Sequence, residues 1–334
     1  MTLPHGISNN VEGWLVANIN GATAPFAYTQ IAGGHSNLTF KVDDAAGHSY
    51  VLRRPPLGHR LASAHDMGRE HRIIAGLANS NVPVATARGL CTEEAVNELP
   101  FYVMDFVDGH VVRDKATAET ILGPDGCKRA SESIVDTMAA IHAVDLKSVG
   151  LDDLGRHDGF ISRQLKRWHG NIVEQRTREL PLVDSVFEEL MLRIPEQAST
   201  TIVHGDYRLG NIMVNDNGLT AILDWELAHI GDPMEDLGWL CVRAWRFGGA
   251  FPAAGLGTYD ELFDAYTSVT GVRPDPDVVR WWEILGTLKW GIICISQAAT
   301  HLMGIARSHE LAAIGRRVCE NEYDLIELLT ERTQ

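Results

Sequence analysis

Lysine is scarce in this chain. It stands at only six positions, 41, 115, 128, 147, 166 and 289, and arginine supplies the rest of the 29 basic residues. Acidic residues number 44, and the formal net charge of −15 argues against a surface built to hold nucleic acid. Cysteine is also sparse. The five residues, at 91, 127, 241, 294 and 319, form no C-x-x-C pair and no Cys/His ligand spacing. That excludes a sequence-legible zinc site and reads as reduced, mostly buried thiols. Long apolar runs are missing: the most apolar stretch, 290–299, is too short and too mixed to span a bilayer. The first 30 residues hold no Lys or Arg and no long apolar core, so a signal peptide is not expected and a cytoplasmic location is. Internal repeats and low-complexity segments are absent as well.

What is present fits a globular protein of about two domains. The chain has 334 residues, 45% hydrophobic and 22% charged. Residues 8–19 read as a capped amphipathic helix. Residues 26–32, 38–42 and 48–54 read as meandering strands, the last stopped by Pro55-Pro56. A helix is expected over 64–77, and further strands over 82–87 and 101–106. After Phe106 the pattern turns helical, with helices expected over 131–144, 160–174, 182–194, 259–270, 277–299 and 312–330. The boundary divides a β-rich nucleotide-binding lobe, 1–106, from a helical catalytic and substrate-binding lobe, 107–334.

The helical half is interrupted by the stretch on which the chain turns, His204-Gly205-Asp206-Tyr207-Arg208-Leu209-Gly210-Asn211, followed by Ile222-Leu223-Asp224-Trp225-Glu226. Two short β-prone runs, 211–214 and 219–223, flank the turn cluster Asn215-Asp216-Asn217-Gly218, so a hairpin is expected. Asp206 precedes it, Asn211 opens it and Asp224 ends it, an order expected to return all three to one edge. Asp-x-x-x-x-Asn followed by a strand-terminal Asp suits phosphoryl transfer. One carboxylate takes the hydroxyl proton, and an amide oxygen and a second carboxylate hold Mg²⁺ on the phosphates. The alternative is a hairpin whose polar residues only satisfy backbone donors. His204 reads as a brace for this loop. Arg208, between base and metal ligand, is left between a phosphate or substrate contact and simple pairing with a carboxylate.

In the β-rich half, Gly33-Gly34-His35-Ser36-Asn37 joins two strands and can lay backbone N–H groups over phosphates. On the next strand Val51 and Arg53 share one face, an apolar residue two before a cation, as an adenine-and-phosphate cleft requires. Glu70, on the following helix, can pair with Arg53 and aim it. The alternative makes Arg53, Arg54 and Glu70 surface charges.

These motifs, spread over nearly the whole chain, resemble the aminoglycoside phosphotransferase and choline kinase-like superfamily. The similarity is greatest to the phosphotransferase domain found in some acyl-CoA dehydrogenase fusions. The segments 34–40, 50–56, 64–70, 203–211 and 224–238 carry it. The resemblance implies an α+β, bilobal, protein-kinase-like fold. Its small antiparallel sheet with one key helix precedes a mostly helical lobe that carries the catalytic hairpin. It also implies Asp206 as catalytic base, Asn211 and Asp224 as Mg²⁺ ligands, and Arg53 with Glu70 in the place most kinases give to Lys. The hinge that hydrogen-bonds adenine is then Met104-Asp105-Phe106-Val107. Trp225-Glu226 replaces the Phe-Gly of protein kinases, and no long activation segment follows, so the small-molecule branch is the one implied.

The expected activity is therefore ATP- and Mg²⁺-dependent phosphorylation of a hydroxyl on a small molecule, with GTP open as donor and the oligomeric state open. Arg243, Arg246 and Lys289, in segments rich in Trp, hint at an anionic acceptor. No carboxylate cluster for an aminoglycoside is visible in 239–251 or 281–301. The resemblance points toward a hydroxyacyl-CoA acceptor. An aminoglycoside acceptor and a catalytically silent nucleotide-binding protein are the alternatives.

Overall fold

A computed structural model describes residues 3–4, 6–31, 37–56, 66–113, 115–156, 158–176, 179–215, 218–305 and 307–330. The chain divides into two compact units that are not consecutive in sequence. One comprises Met1–His110, Asp145–Leu154 and Ile212–Ala228, the other Val111–Val144, Gly155–Asn211 and His229–Gln334. The first cut falls after His110, and the hairpin at 212–222, expected in the second lobe, belongs to the first unit.

The first unit begins with α1 (Asn10–Asn18), followed by β1 (Ala27–Gln30), β2 (Leu38–Asp43) and β3 (Ser49–Arg54). After α2 (Met67–Leu77) come β4 (Ala87–Cys91) and β5 (Phe101–Asp105). The five strands form one antiparallel sheet in the order β1-β2-β3-β5-β4. Alternation explains its two faces. Phe40, Val42, Leu52, Phe101 and Val103 pack with Trp14 and Leu15 of α1 in one core. Val51 and Arg53 lie on the opposite face. The strand expected over 82–87 is instead Ala87–Cys91. Pro83 has no N–H to give a ladder; its carbonyl accepts from Ile222 N at 2.8 Å, and pairing begins only beyond it. Asp66 caps α2 by accepting from Arg69 N. In the same unit β8 (Ile212–Asn215) and β9 (Gly218–Ile222) pair antiparallel from Ile212↔Ile222 to Asn215↔Gly218, as the turn cluster predicts. Gly218 has a φ of 115°, which suits glycine.

The short strand β6 (His110–Val111) leads into the helical unit. There α3 (Lys115–His142) starts earlier than expected and is broken at Gly123, where φ is 68°. Next come α4 (Phe160–Gln175), α5 (Pro181–Leu192), β7 (Thr201–Val203), β10 (His229–Gly231) and α6 (Met234–Cys241). The two strands pair antiparallel, Val203 facing His229, a pairing too short to read from pattern. The remainder is α7 (Tyr259–Thr270), α8 (Pro276–Leu302), α9 (His309–Ile314) and α10 (Val318–Thr330); the single helix expected over 312–330 is thus two. Helix α8 is the spine of this unit, and α6 packs directly on it. A Cβ on Gly238 would lie 2.5 Å from the Trp282 side chain and 2.7 Å from Glu283 N, so only glycine fits at that crossing. No helix among the described residues is long and apolar enough to cross a membrane.

Candidate active site

In the sheet unit, the guanidinium of Arg53 is the centre of a charge cluster. Its Nε lies 3.1 Å from Glu70 Oε1, and its Nη2 lies 2.5 Å from Asp224 Oδ1 and 3.1 Å from Glu226 Oε2. The surface-charge alternative fails, because Arg54 and Glu70 are buried and the Arg53 side chain is only 11% exposed. Strand register sets this up. Arg53 pairs with Tyr102 across β3 and β5, and Tyr102 donates its hydroxyl to Glu70 Oε1 at 2.9 Å. Burial pushes the Glu70 carboxyl above its ordinary range, although Arg53 pulls the other way. Asp224 takes a left-handed backbone, φ 65° and ψ 63°, uncommon outside glycine and frequent where function fixes a side chain. Glu226, expected only as part of the Trp225-Glu226 pair that replaces Phe-Gly, also accepts from Asn37 Nδ2 at 3.0 Å. Its position two after Asp224 was the available signal.

The other nucleotide candidates are unevenly described. Gly33, Gly34, His35 and Ser36 lie outside the described residues; Asn37 is buried. Val51 pairs with Met104, the first residue of the expected hinge. Asp105 N and Phe106 N donate to the carbonyls of Thr86 and Ser49, so the sheet already uses those two groups. The Asp105 carboxylate forms a bidentate pair with Arg88, both distances 2.6 Å.

In the helical unit, Asp206 is gripped by side chains on both oxygens. Oδ1 accepts from Arg208 Nε and from Trp239 Nε1, each at 2.9 Å, and Oδ2 accepts from Asn211 Nδ2 at 2.7 Å. Asn211 Nδ2 also meets the Asp206 carbonyl at 2.9 Å, so the amide turns its nitrogen to Asp206 and presents its oxygen elsewhere. Arg208, expected either at a phosphate or substrate anion or paired with a surface carboxylate, makes its ion pair with Asp206 itself.

The loop is fixed from below. Buried Asp236 accepts the backbone N–H groups of His204 at 2.8 Å and Gly205 at 2.9 Å, together with His142 Nε2 at 3.1 Å. Burial raises the Asp236 carboxyl, but His142 and then His204 pull it down further, to a net value below the ordinary one. His204 braces the loop as expected, its Nδ1 accepting Asp206 N at 3.2 Å. Gly205 and Gly210, at φ 77° and 96°, turn the chain where a side chain would strain it. Lys289, 8% exposed, donates to the Gly205 carbonyl at 3.2 Å and lies 4.4 Å from the Trp239 ring centre.

The three cations read as a hint of an anionic acceptor are largely compensated internally. Arg246 pairs with buried Glu283 at 2.9 Å and donates to the Cys241 carbonyl. Lys289 lies 3.7 Å from Glu235, and Arg243 pairs with Glu327 and with Asp324 at 3.3 Å. Arg243 nevertheless lines an open cleft of about 500 Å³ with Trp290, Arg317, Glu320, Tyr323 and Asp324. Its carboxylates, Glu320 and Asp324, both come from α10, outside 239–251 and 281–301. The Trp residues are mostly core: Trp239, Trp245, Trp281 and Trp282 are buried.

The model of the phosphotransferase enzyme family matches residues 27–282. A mouse protein, acyl-CoA dehydrogenase family member 10, is 32% identical over 266 residues, which cover 76% of this chain and 24% of that protein. The chain thus spans about a quarter of that relative's length. A solved structure from Ralstonia eutropha, assigned to the aminoglycoside phosphotransferases, superposes with a TM-score of 0.81 at 29% identity, covering 96% of this chain and 98% of that one. A thermostable mutant of aminoglycoside phosphotransferase APH(4)-Ia, solved in ternary complex with ADP and hygromycin B, shares the kinase-like fold. Its TM-score is 0.63 at 17% identity, with 96% and 98% of the two chains covered. The chain belongs to the phosphotransferase enzyme family.

Proposed function

We propose that the protein is an ATP- and Mg²⁺-dependent kinase that phosphorylates a hydroxyl group of a small molecule. The observation that carries this reading is Asp206, a carboxylate held in a fixed orientation by three N–H donors beside an amide that presents its oxygen. In the reaction the acceptor hydroxyl gives its proton to Asp206, its oxygen attacks the γ-phosphorus, and the bond from that phosphorus to the bridging oxygen breaks to release ADP. Arg53, aimed by Glu70 and joined to Glu226, contacts the nucleotide phosphates. Val51 and the 104–107 segment form the adenine site, with Val107 as the N–H donor, because Asp105 and Phe106 give theirs to the sheet.

The donor chemistry fits Mg²⁺. Asn211 Oδ1 and the Asp224 carboxylate are hard oxygen ligands, and this ion is commonly held by one or two such groups plus phosphate. Those two residues would hold the ion, which supplies charge neutralisation on the phosphates when bound. ATP use is further supported by the ADP bound in the APH(4)-Ia complex.

A hydroxyacyl-CoA acceptor is the favoured substrate class, supported by the acyl-CoA dehydrogenase names of the curated relatives. The second reading, an aminoglycoside, is supported by Glu320 and Asp324 in the open cleft, which suit amino groups. Asp206→Asn is expected to lower turnover by about a thousandfold while nucleotide binding persists; near-normal turnover would refute the assignment of the base. A screen of hydroxyacyl-CoAs, aminoglycosides and amino alcohols for stimulated ADP release separates the two substrate classes.

A further inference from the structure

The base proposed above is held by more than its motif requires. Each carboxylate oxygen offers two in-plane lone-pair positions. On Asp206 Oδ1 both are taken, by Arg208 Nε and Trp239 Nε1, whereas among the described residues Oδ2 accepts only from Asn211 Nδ2. The two donors on Oδ1 come from different elements, the catalytic loop and α6, yet they rest on one side chain. The Arg208 guanidinium carbon lies 4.7 Å from the ring centre of Trp245, and the Trp239 ring lies 5.2 Å from it. Trp245 is itself buried and backed by Trp290 at 4.8 Å. Guanidinium-on-ring and ring-on-ring contacts of this kind are directional, so Trp245 fixes where both donors point.

We infer that Trp245 is a positioning residue for phosphoryl transfer: by seating Arg208 and Trp239 on Oδ1, it leaves Oδ2 as the oxygen that meets the acceptor hydroxyl. The inference rests on Asp206 being the base, so its test separates the two claims. The probe reaction is basal Mg²⁺-ATP hydrolysis, in which water takes the acceptor's place. Trp239→Phe removes one donor and keeps a ring, and Trp245→Leu removes the seat. Each is expected to lower kcat by about ten- to a hundredfold with the KM for ATP nearly unchanged, the scale of a misplaced catalytic group. The double variant is expected to be little worse than the weaker single variant. Trp239→His, which retains a ring N–H, restores part of the loss. Asp206→Asn is the control: if it stays active, the base assignment fails. If it is inactive while both Trp variants keep the wild-type kcat, the positioning role fails. A second measurement needs no turnover. The Trp239 indole N–H, identified in ¹⁵N spectra by its absence in Trp239→Phe, is expected to be protected from solvent exchange in the wild type. In Trp245→Leu and Asp206→Ala it is expected to exchange at least tenfold faster; unchanged protection in Trp245→Leu overturns the inference.

Discussion

Arg53 meets three carboxylates, Glu70, Asp224 and Glu226, within 3.1 Å, and two of its neighbours are buried or nearly so. Removing the cation leaves charges that cannot reach water, a loss of about 3 kcal/mol for a broken buried pair. Arg53→Met is therefore expected to lower urea-denaturation stability by about that amount and to weaken ATP binding; a loss below about 1 kcal/mol would place the cluster among weak surface pairs. Arg53→Lys retains the charge and loses the fork, so stability is expected to fall less than ATP affinity. Asp236 gives a pH test. Its folded carboxyl lies below the ordinary value, so the unfolded chain binds its proton first as pH falls. The stability it supplies is complete above about pH 4 and fades as the pH drops through the folded value. Asp236→Asn is expected to cost stability at pH 7 and to approach the wild type only as the pH falls below that folded value. A difference that stays constant across that range would contradict the role. Arg53 and Glu70 were legible in sequence through the alternation of β3 and the helical register of α2. The partners of Trp239 and Glu226 were not, because an indole N–H or a carboxylate declares its partner only when the chain is folded.

At the scale of elements, the crossing of α6 over α8 positions both Asp236 and Trp239 against the loop at 204–211. The crossing depends on Gly238, where a Cβ would meet Trp282 and the Glu283 backbone at 2.5–2.7 Å. Gly238→Ala is expected to destabilise the protein by about 1–3 kcal/mol through overpacking, and to lower kcat as well, because it displaces Trp239 next door. A melting temperature equal to the wild type would show that the helices adjust freely. Strongly periodic elements were read correctly, α7 and the hairpin strands among them. Misreadings fell where pattern is weak. Pro83 lies in a run of β-prone residues but has no donor for a ladder, so the strand slid to Ala87–Cys91. β7 and β10, three residues each, owe their pairing to contact and not to alternation.

For the molecule as a whole, ATP binding to the folded state alone is expected to raise stability by about 2.7 kcal/mol at a hundredfold excess over Kd, measured as a nucleotide-dependent rise in melting temperature. An unchanged melting temperature would count against a nucleotide site. Cysteine reactivity gives an independent check on packing. Among the described residues Cys319 is exposed, while Cys91, Cys241 and Cys294 are buried, and burial pushes the Cys294 thiol up to about 12. Mass-mapped alkylation of the native protein is expected to label Cys319 well before those three. Because Cys319 lines the open cleft, an acceptor seated there is expected to slow its labelling.

The sequence by itself determined the family, because side-chain types at fixed spacing mark it: the pattern Asp206, Asn211 and Asp224 is readable without coordinates, and the phosphotransferase enzyme family matches 27–282. It also determined the α+β order of the elements, through hydrophobic period. Only the tertiary structure decided what holds those residues. The Trp239 donor on Asp206, Asp224 and Glu226 beside Arg53, the Asp236 anchor and the Glu327 partner of Arg243 come from positions tens of residues or more away, and their proximity follows from packing, which no local pattern encodes.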